Sequence, residues 1–157
     1  MKEILLTQGK VALVDDEDFE VLNKVKWAAH KMSNIFYAAR NGTPINGKQK
    51  TILMHREILR PPKELHVDHV DHNGLNNQRH NLRIATRSQN MHNQGKRINN
   101  TSGYKGVCWD KQNKKWRTQI KLNGKIIFLG YFPTKEDAHT AYVKACHKYH
   151  GEFARPN

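Results

Sequence analysis

Histidine, asparagine and aspartate crowd residues 65–94, LHVDHVDHNGLNNQRHNLRIATRSQNMHNQ. Asp68 and His69 are adjacent, Asn81 follows a loop, and Asn90 comes a few residues further on. Together these residue types suit phosphodiester hydrolysis. That reaction needs a deprotonated water, neutralised charge on the phosphate and a stabilised leaving oxygen. A neutral histidine can act as the base because it titrates near working pH. A hard divalent ion held by carboxylate and amide oxygens can supply the rest. Any one Asp, Asn or Gly here would ordinarily be only a turn residue; it is the ordered set that points to chemistry. A zinc cluster of His66, His69, His72 and His92 is disfavoured, because His66 and His69 face opposite sides of a strand. Cys108 and Cys146 form no CxxC pair, so a cysteine zinc site is excluded.

The elements that must hold these residues can be read around them. Val67 and Val70 fit a short strand, Asn73-Gly74 begins a loop, and Leu82-Arg-Ile-Ala85 reads as a second strand. Thr86 with Gln89 has the capping-box spacing of a helix start. The order is strand, loop, strand, helix, with Asp68-His69 closing the first strand, Asn81 opening the second and Asn90 in the first turns of the helix.

This order resembles the HNH endonuclease family, of the type common among phage and homing enzymes. The matching residues are Asp68-His69, Asn73-Gly74, Asn76-Asn77, Asn81-Leu82-Arg83 and Thr86-Arg-Ser-Gln-Asn90, with His55-Arg56 upstream matching a His-Arg pair often found before the motif. The resemblance implies a ββα-metal hairpin. It implies that His69 is the general base, that Asn81 orients the imidazole, and that Asp68 and Asn90 bind one divalent ion. Many members carry His where this chain has Asn90, and a neutral amide oxygen favours Mg²⁺ or Mn²⁺ over softer metals. The implied setting is the cytoplasm of a bacterial or phage-infected host cell.

Upstream, residues 1–54 read as β-rich. Ile4 to Leu6 and Val11 to Val14 are strand-like, a helix runs through Phe19, Leu22 and Val25, and Trp27 to Met32 and Ile35 to Arg40 form a further strand pair. Thr51 to Leu59 is apolar and ends before Pro61-Pro62, which cannot continue a helix. Downstream, GKRINNTSG (95–103) is the linker candidate. Three strand-like runs follow, Tyr104 to Trp109, Trp116 to Leu122 and Lys125 to Phe132, the last two joined by the hairpin signal Asn123-Gly124. A helix opening at Thr134 carries the apolar stripe Ala138, Ala141, Tyr142, Ala145 and Tyr149, and ends at Gly151. The expected fold class is therefore α+β: a β-rich region with the nuclease hairpin (1–94, core 55–94), a linker (95–103) and a module of three strands and a helix (104–157).

The run Tyr104-Lys-Gly-Val107, Trp116-Arg117, Leu129-Gly-Tyr-Phe132 and Glu136-Asp-Ala138 resembles the AP2 DNA-binding domain over about residues 102–155. That family lays its sheet in the major groove of double-stranded DNA. Carried over by position, Lys105, Gly106, Gln119, Lys121 and Phe128 would face DNA, with Arg117 nearby. The family often has Arg where this chain has Cys108, Asp110 and Ile126. Bidentate Arg–guanine pairs are the commonest specific base contact, so their loss bears on sequence preference more than on phosphate binding.

Charge agrees with a nucleic-acid partner. Lys and Arg number 27 against 14 Asp and Glu, net +13, and residues 104–157 alone carry 11 basic and 4 acidic groups, net +7. The N-terminus lacks a signal-peptide core and no apolar run spans a membrane, so no membrane partner is expected. One hairpin cuts one strand per visit, which leaves monomer and homodimer both open. A non-catalytic DNA-binding regulator and an RNA-directed protein are the rival readings; an AP2-like sheet suits a B-form major groove better than RNA's deep, narrow one.

Overall fold

In the computed structural model, residues 1–44, 46–96 and 99–156 are described. Arg97 and Ile98 of the candidate linker lie outside them. The chain is α+β and divides into two compact units, Met1–Thr86 and Arg87–Asn157.

The first unit opens with the antiparallel pair β1 (Lys2–Leu5) and β2 (Val11–Val14), followed by α1 (Asp16–Leu22). The helix stops at Leu22 rather than reaching Val25, because the buried Trp27 indole donates to the Leu22 carbonyl at 2.8 Å. A three-stranded antiparallel sheet comes next, in the order β3 (Ala28–Met32), β4 (Ile35–Asn41), β5 (Thr51–Leu53). The apolar run from Thr51 splits into β5 and the short helix α2 (Met54–Leu59), which ends on Arg60 at φ 46° ahead of Pro61. Then β6 (His66–His69) and β7 (Leu82–Ala85) pair antiparallel. One core joins these pieces, with Ile4, Val14, Leu22, Trp27, Met54, Val67 and Leu82 all buried together.

The second unit begins with α3 (Arg87–His92), so strand, loop, strand and helix follow in the expected order along the chain. It continues as β8 (Val107–Asp110), β9 (Lys115–Leu122) and β10 (Lys125–Phe132), an antiparallel sheet with β9 central, then α4 (Lys135–His150). Strand β8 starts three residues later than the run from Tyr104 predicts, because the Ser102 hydroxyl bonds the carbonyls of Tyr104 and Val107 and curls the chain into a turn. Thr134 caps α4, accepting from the Asp137 N–H at 3.1 Å. Ile120 on β9 and Tyr142, Ala145 and Cys146 on α4 form this unit's core. No helix among the described residues is long and apolar enough to cross a membrane.

Candidate nuclease centre and nucleic-acid face

Strand register fixes the carboxylate. Asp68 lies opposite Arg83 across β6 and β7, and Asp68 Oδ2 accepts from Arg83 Nε at 2.9 Å and pairs with Nη2 at 2.8 Å. Both side chains are mostly buried, 7% and 15% exposed, so the pair is a firm charge-assisted contact rather than a surface ion pair.

His69, next in line, is also buried. Its ring meets that of His55 from α2 edge-on, with centroids 5.0 Å apart at 85°, and lies 5.8 Å from the Tyr37 ring on β4. Its Nε2 is 3.4 Å from Oδ1 of the fully buried Asn77. Burial pushes the imidazole pKa below its ordinary value, against the opposing pull of the Asn77 contact and the Asp71 and Asp68 charges. At neutral pH His69 is therefore unprotonated, as a base requires.

Asn81 reaches into the loop between the strands. Its Nδ2 donates to Asp71 Oδ1 and to the Asn76 carbonyl, both at 2.8 Å, and its Oδ1 accepts from the Asp71 N–H at 2.9 Å. Asp71 also accepts from the Asn73 N–H and from Asn76 Nδ2, each at 2.8 Å. Burial alone would raise the Asp71 carboxyl, but the hydrogen bonds from Asn76, Asn73 and Asn81 outweigh it and hold the carboxyl below the usual range. Asp71 is thus the hub that shapes the loop between the strands, and Asn77 brings a carboxamide to the imidazole. Gly74 closes the loop against β4: a Cβ there would fall 2.5 Å from the Phe36 carbonyl. Asn76, Asn77 and Arg83 were visible as motif positions, whereas the hub role of Asp71 depends on contacts that no spacing announces.

His55 is the other residue whose place only the fold reveals. It is 5% exposed, and its Nδ1 has no hydrogen-bond partner among the described residues. Burial, then His69 and Arg56, lowers its pKa to about 3. An unfolded chain takes up that proton near the ordinary value of 6.5, whereas the folded chain resists it down to about 3. Between these limits the unfolded state binds more protons, so stability falls as pH falls, by up to about 1.4 kcal/mol per pH unit. Denaturant unfolding at neutral pH and near pH 5 is expected to show this loss in the wild type and a smaller loss in His55→Phe. Equal acid losses in both would remove His55 as its source.

The sequence-predicted DNA contacts of the second unit fall into two groups. Lys105 and Gly106 are engaged in contacts within the unit. The Lys105 ammonium donates to the carbonyls of His92, Gln94 and Arg155 at 2.8, 2.6 and 2.9 Å, and burial pushes its pKa down. Gly106, at φ +74°, packs directly on Tyr142. Arg117, Gln119, Lys121 and Phe128 share one face, because β9 alternates: Thr118 and Ile120 turn into the core, leaving 117, 119 and 121 on the open side. Phe128 lies opposite Gln119 in register. Arg117 Nη2 donates to Gln119 Oε1 at 2.8 Å, and its guanidinium lies 5.9 Å from the Phe128 ring centre. Asn90 is on α3 in this unit, which is anchored from within: His92 stacks on His150 at 3.7 Å, and His150 Nε2 is 3.0 Å from the Lys121 carbonyl.

The first unit thus carries a hairpin with a buried Asp-His pair, and the second a three-stranded sheet backed by a helix. Comparison with known proteins agrees. Residues 60–92 match the HNH endonuclease family and residues 102–152 the AP2 domain. An uncharacterized HNH endonuclease of Acanthamoeba polyphaga mimivirus is 31% identical over 156 residues, covering 96% of this chain and 76% of that protein. Protein 3.8 of Escherichia phage T7 is 35% identical over 94 residues, 60% of this chain and 77% of that protein. The chain belongs to the HNH endonuclease family.

Proposed function

We propose that this chain is a metal-dependent endonuclease that hydrolyses phosphodiester bonds of double-stranded DNA, of the homing kind, anchored by its AP2-type module. The observation that carries the reading is His69, a buried imidazole next to the buried Asp68 carboxylate at the end of β6. His69 takes the proton from the attacking water, Asn77 fixes the ring, and Asn81 with Asp71 holds the loop that presents Asn77.

A bound divalent ion, Mg²⁺ or Mn²⁺, would neutralise charge on the phosphate and stabilise the leaving oxygen. The donor chemistry fits such an ion: Asp68 offers a carboxylate oxygen and Asn90 a carboxamide oxygen, both hard ligands. The part of Asn90 rests on its place in the motif. No three His, Cys, Asp or Glu gather as a metal cluster among the described residues. Mg²⁺ is usually held by one or two carboxylates together with waters and substrate phosphate. Nicking of supercoiled plasmid is expected with Mg²⁺ or Mn²⁺ and not with EDTA, and Asp68→Asn should raise the ion concentration required. Undiminished cutting in EDTA would remove the metal assignment. Tight duplex binding without cutting in either ion would make the protein a DNA-binding regulator instead.

The anchoring role is tested by salt. Each phosphate contact adds about −0.9 to the slope of log affinity against log salt concentration. Lys121, exposed on the open sheet face, should lose about that much on mutation to Ala. Lys105→Ala should leave the slope unchanged and lower thermal stability, because its ammonium is held by three carbonyls. The reverse pattern would move the DNA contact to the Lys105 side of the module. Cutting both strands would require a homodimer or a second visit by a monomer, and the setting proposed is the cytoplasm of a bacterial or phage-infected cell.

A further inference from the structure

The open face of the second unit's sheet carries large apolar groups that its core does not use. Ile126 is 62% exposed, Phe128 51% and Tyr131 40%. In register, Ile126 lies opposite Lys121, Phe128 opposite Gln119, and Tyr131 opposite Arg117. Lys115 and Lys121 are exposed on β9 at positions that alternate onto this same face, so the apolar groups sit beside cations, as a surface meeting a polyanion would have them. Asp110 is the acidic exception on β8, and the Tyr131 hydroxyl donates to its Oδ2 at 3.3 Å.

We infer that this face selects A·T-rich DNA by apolar contact of Ile126 and Phe128 with thymine C5-methyl groups, with Gln119 on the paired adenine. The inference rests on the reading of the module as a DNA anchor. The thymine methyl is the only apolar group that a base edge presents in the major groove. Ile126 and Phe128 point the same way two residues apart, ~6.6 Å along the strand, close to two base-pair steps of ~3.4 Å each. Gln119 stands beside Phe128 on the neighbouring strand, and a carboxamide is the side chain that pairs with adenine N6 and N7. Guanine reading is poorly served. Arg117 is the sole arginine on the three strands.

The test uses the full chain in EDTA, with affinity measured on four duplexes of one length. These are an A·T-rich duplex, the same duplex with every thymine replaced by deoxyuridine, a G·C-rich duplex, and that duplex with 5-methylcytosine. Deoxyuridine removes only the methyl, and 5-methylcytosine returns one to the same groove position. Burying one methyl is expected to give about four-fold in affinity. The thymine duplex should therefore bind at least ten-fold tighter than its deoxyuridine twin, and methylcytosine should strengthen the G·C duplex. Ile126→Ala with Phe128→Ala should abolish both differences while keeping the salt slope; both side chains are exposed, so the fold does not depend on them. Equal binding of the thymine and deoxyuridine duplexes with a steep salt slope would overturn base reading and leave the anchor reading standing. No binding to any duplex would overturn both.

Discussion

His69→Ala is expected to slow DNA cleavage by about 10²–10⁴-fold, the usual contribution of a general base, while leaving duplex affinity in EDTA near wild type. Base and binding separate because the imidazole is buried in the first unit, whereas the cations of the open sheet face lie in the second. The depressed pKa adds a second readout. A protonated imidazole cannot accept the water's proton, so the rate falls on the acid side, with a midpoint below the ordinary value of 6.5 because burial outweighs the Asn77, Asp71 and Asp68 contributions. Asn77→Ala removes the contact that raises the pKa, so its acid limb should move further down, together with a lower plateau from the loosened ring. Wild-type cleavage by His69→Ala, or an acid limb above pH 6.5, would end the general-base assignment.

Gly106→Ala should destabilise the second unit strongly. The added methyl would stand 2.2 Å from Cε2 of the buried Tyr142 and 3.0 Å from the Gln119 carbonyl. Tyr142 is packed with Ile120, Ala145 and Cys146 and cannot swing aside cheaply. Overpacking costs about 1–3 kcal/mol, and the left-handed backbone at φ +74° adds about 1–2 kcal/mol for a residue with a Cβ. In a module of this size each kcal/mol lowers Tm by roughly 4–8 °C, so a loss of 10 °C or more is the expected result in scanning calorimetry. The sequence reading made Gly106 a DNA contact, which predicts weaker binding at unchanged Tm. That outcome would refute the packing role.

Periodic features of the fold were legible in the sequence. Strand β7 spans Leu82–Ala85 and β10 spans Lys125–Phe132, as alternation and the Asn123-Gly124 turn predict. The helix at Lys135–His150 follows from its Thr134 cap and apolar stripe. Asp68 and His69 close a strand as expected, since local pattern alone places them. Partnerships made across the chain were not legible. Nothing in the spacing announces that the Asn77 amide meets His69, because Asn77 lies in a loop whose path Asp71 sets. Lys105 reads as a free cation until three carbonyls from two distant segments converge on it. His55 was visible only as half of a His-Arg pair, and its ring contact with His69 comes from α2 packing under the hairpin.

The strict alternation along β9 has an evolutionary consequence. Thr118 and Ile120 maintain the fold from one side of the strand, while Arg117, Gln119 and Lys121 face away from it. Substitutions at 117, 119, 121, 126 and 128 therefore change what the sheet presents with little effect on the core. With this face as the proposed DNA anchor, a lineage could drift to new target sites, or be retargeted by design, without a compensating change in the scaffold. Surface exchanges of this kind ordinarily stay within about 0.5 kcal/mol of neutral. The catalytic hairpin has no such freedom. Asp68, His69, Asn77 and Asn81 are all buried, Asp68 held by Arg83, His69 by Asn77 and Asn81 by Asp71, so the proposed cutting chemistry is held fixed while the proposed choice of where to cut stays open to selection.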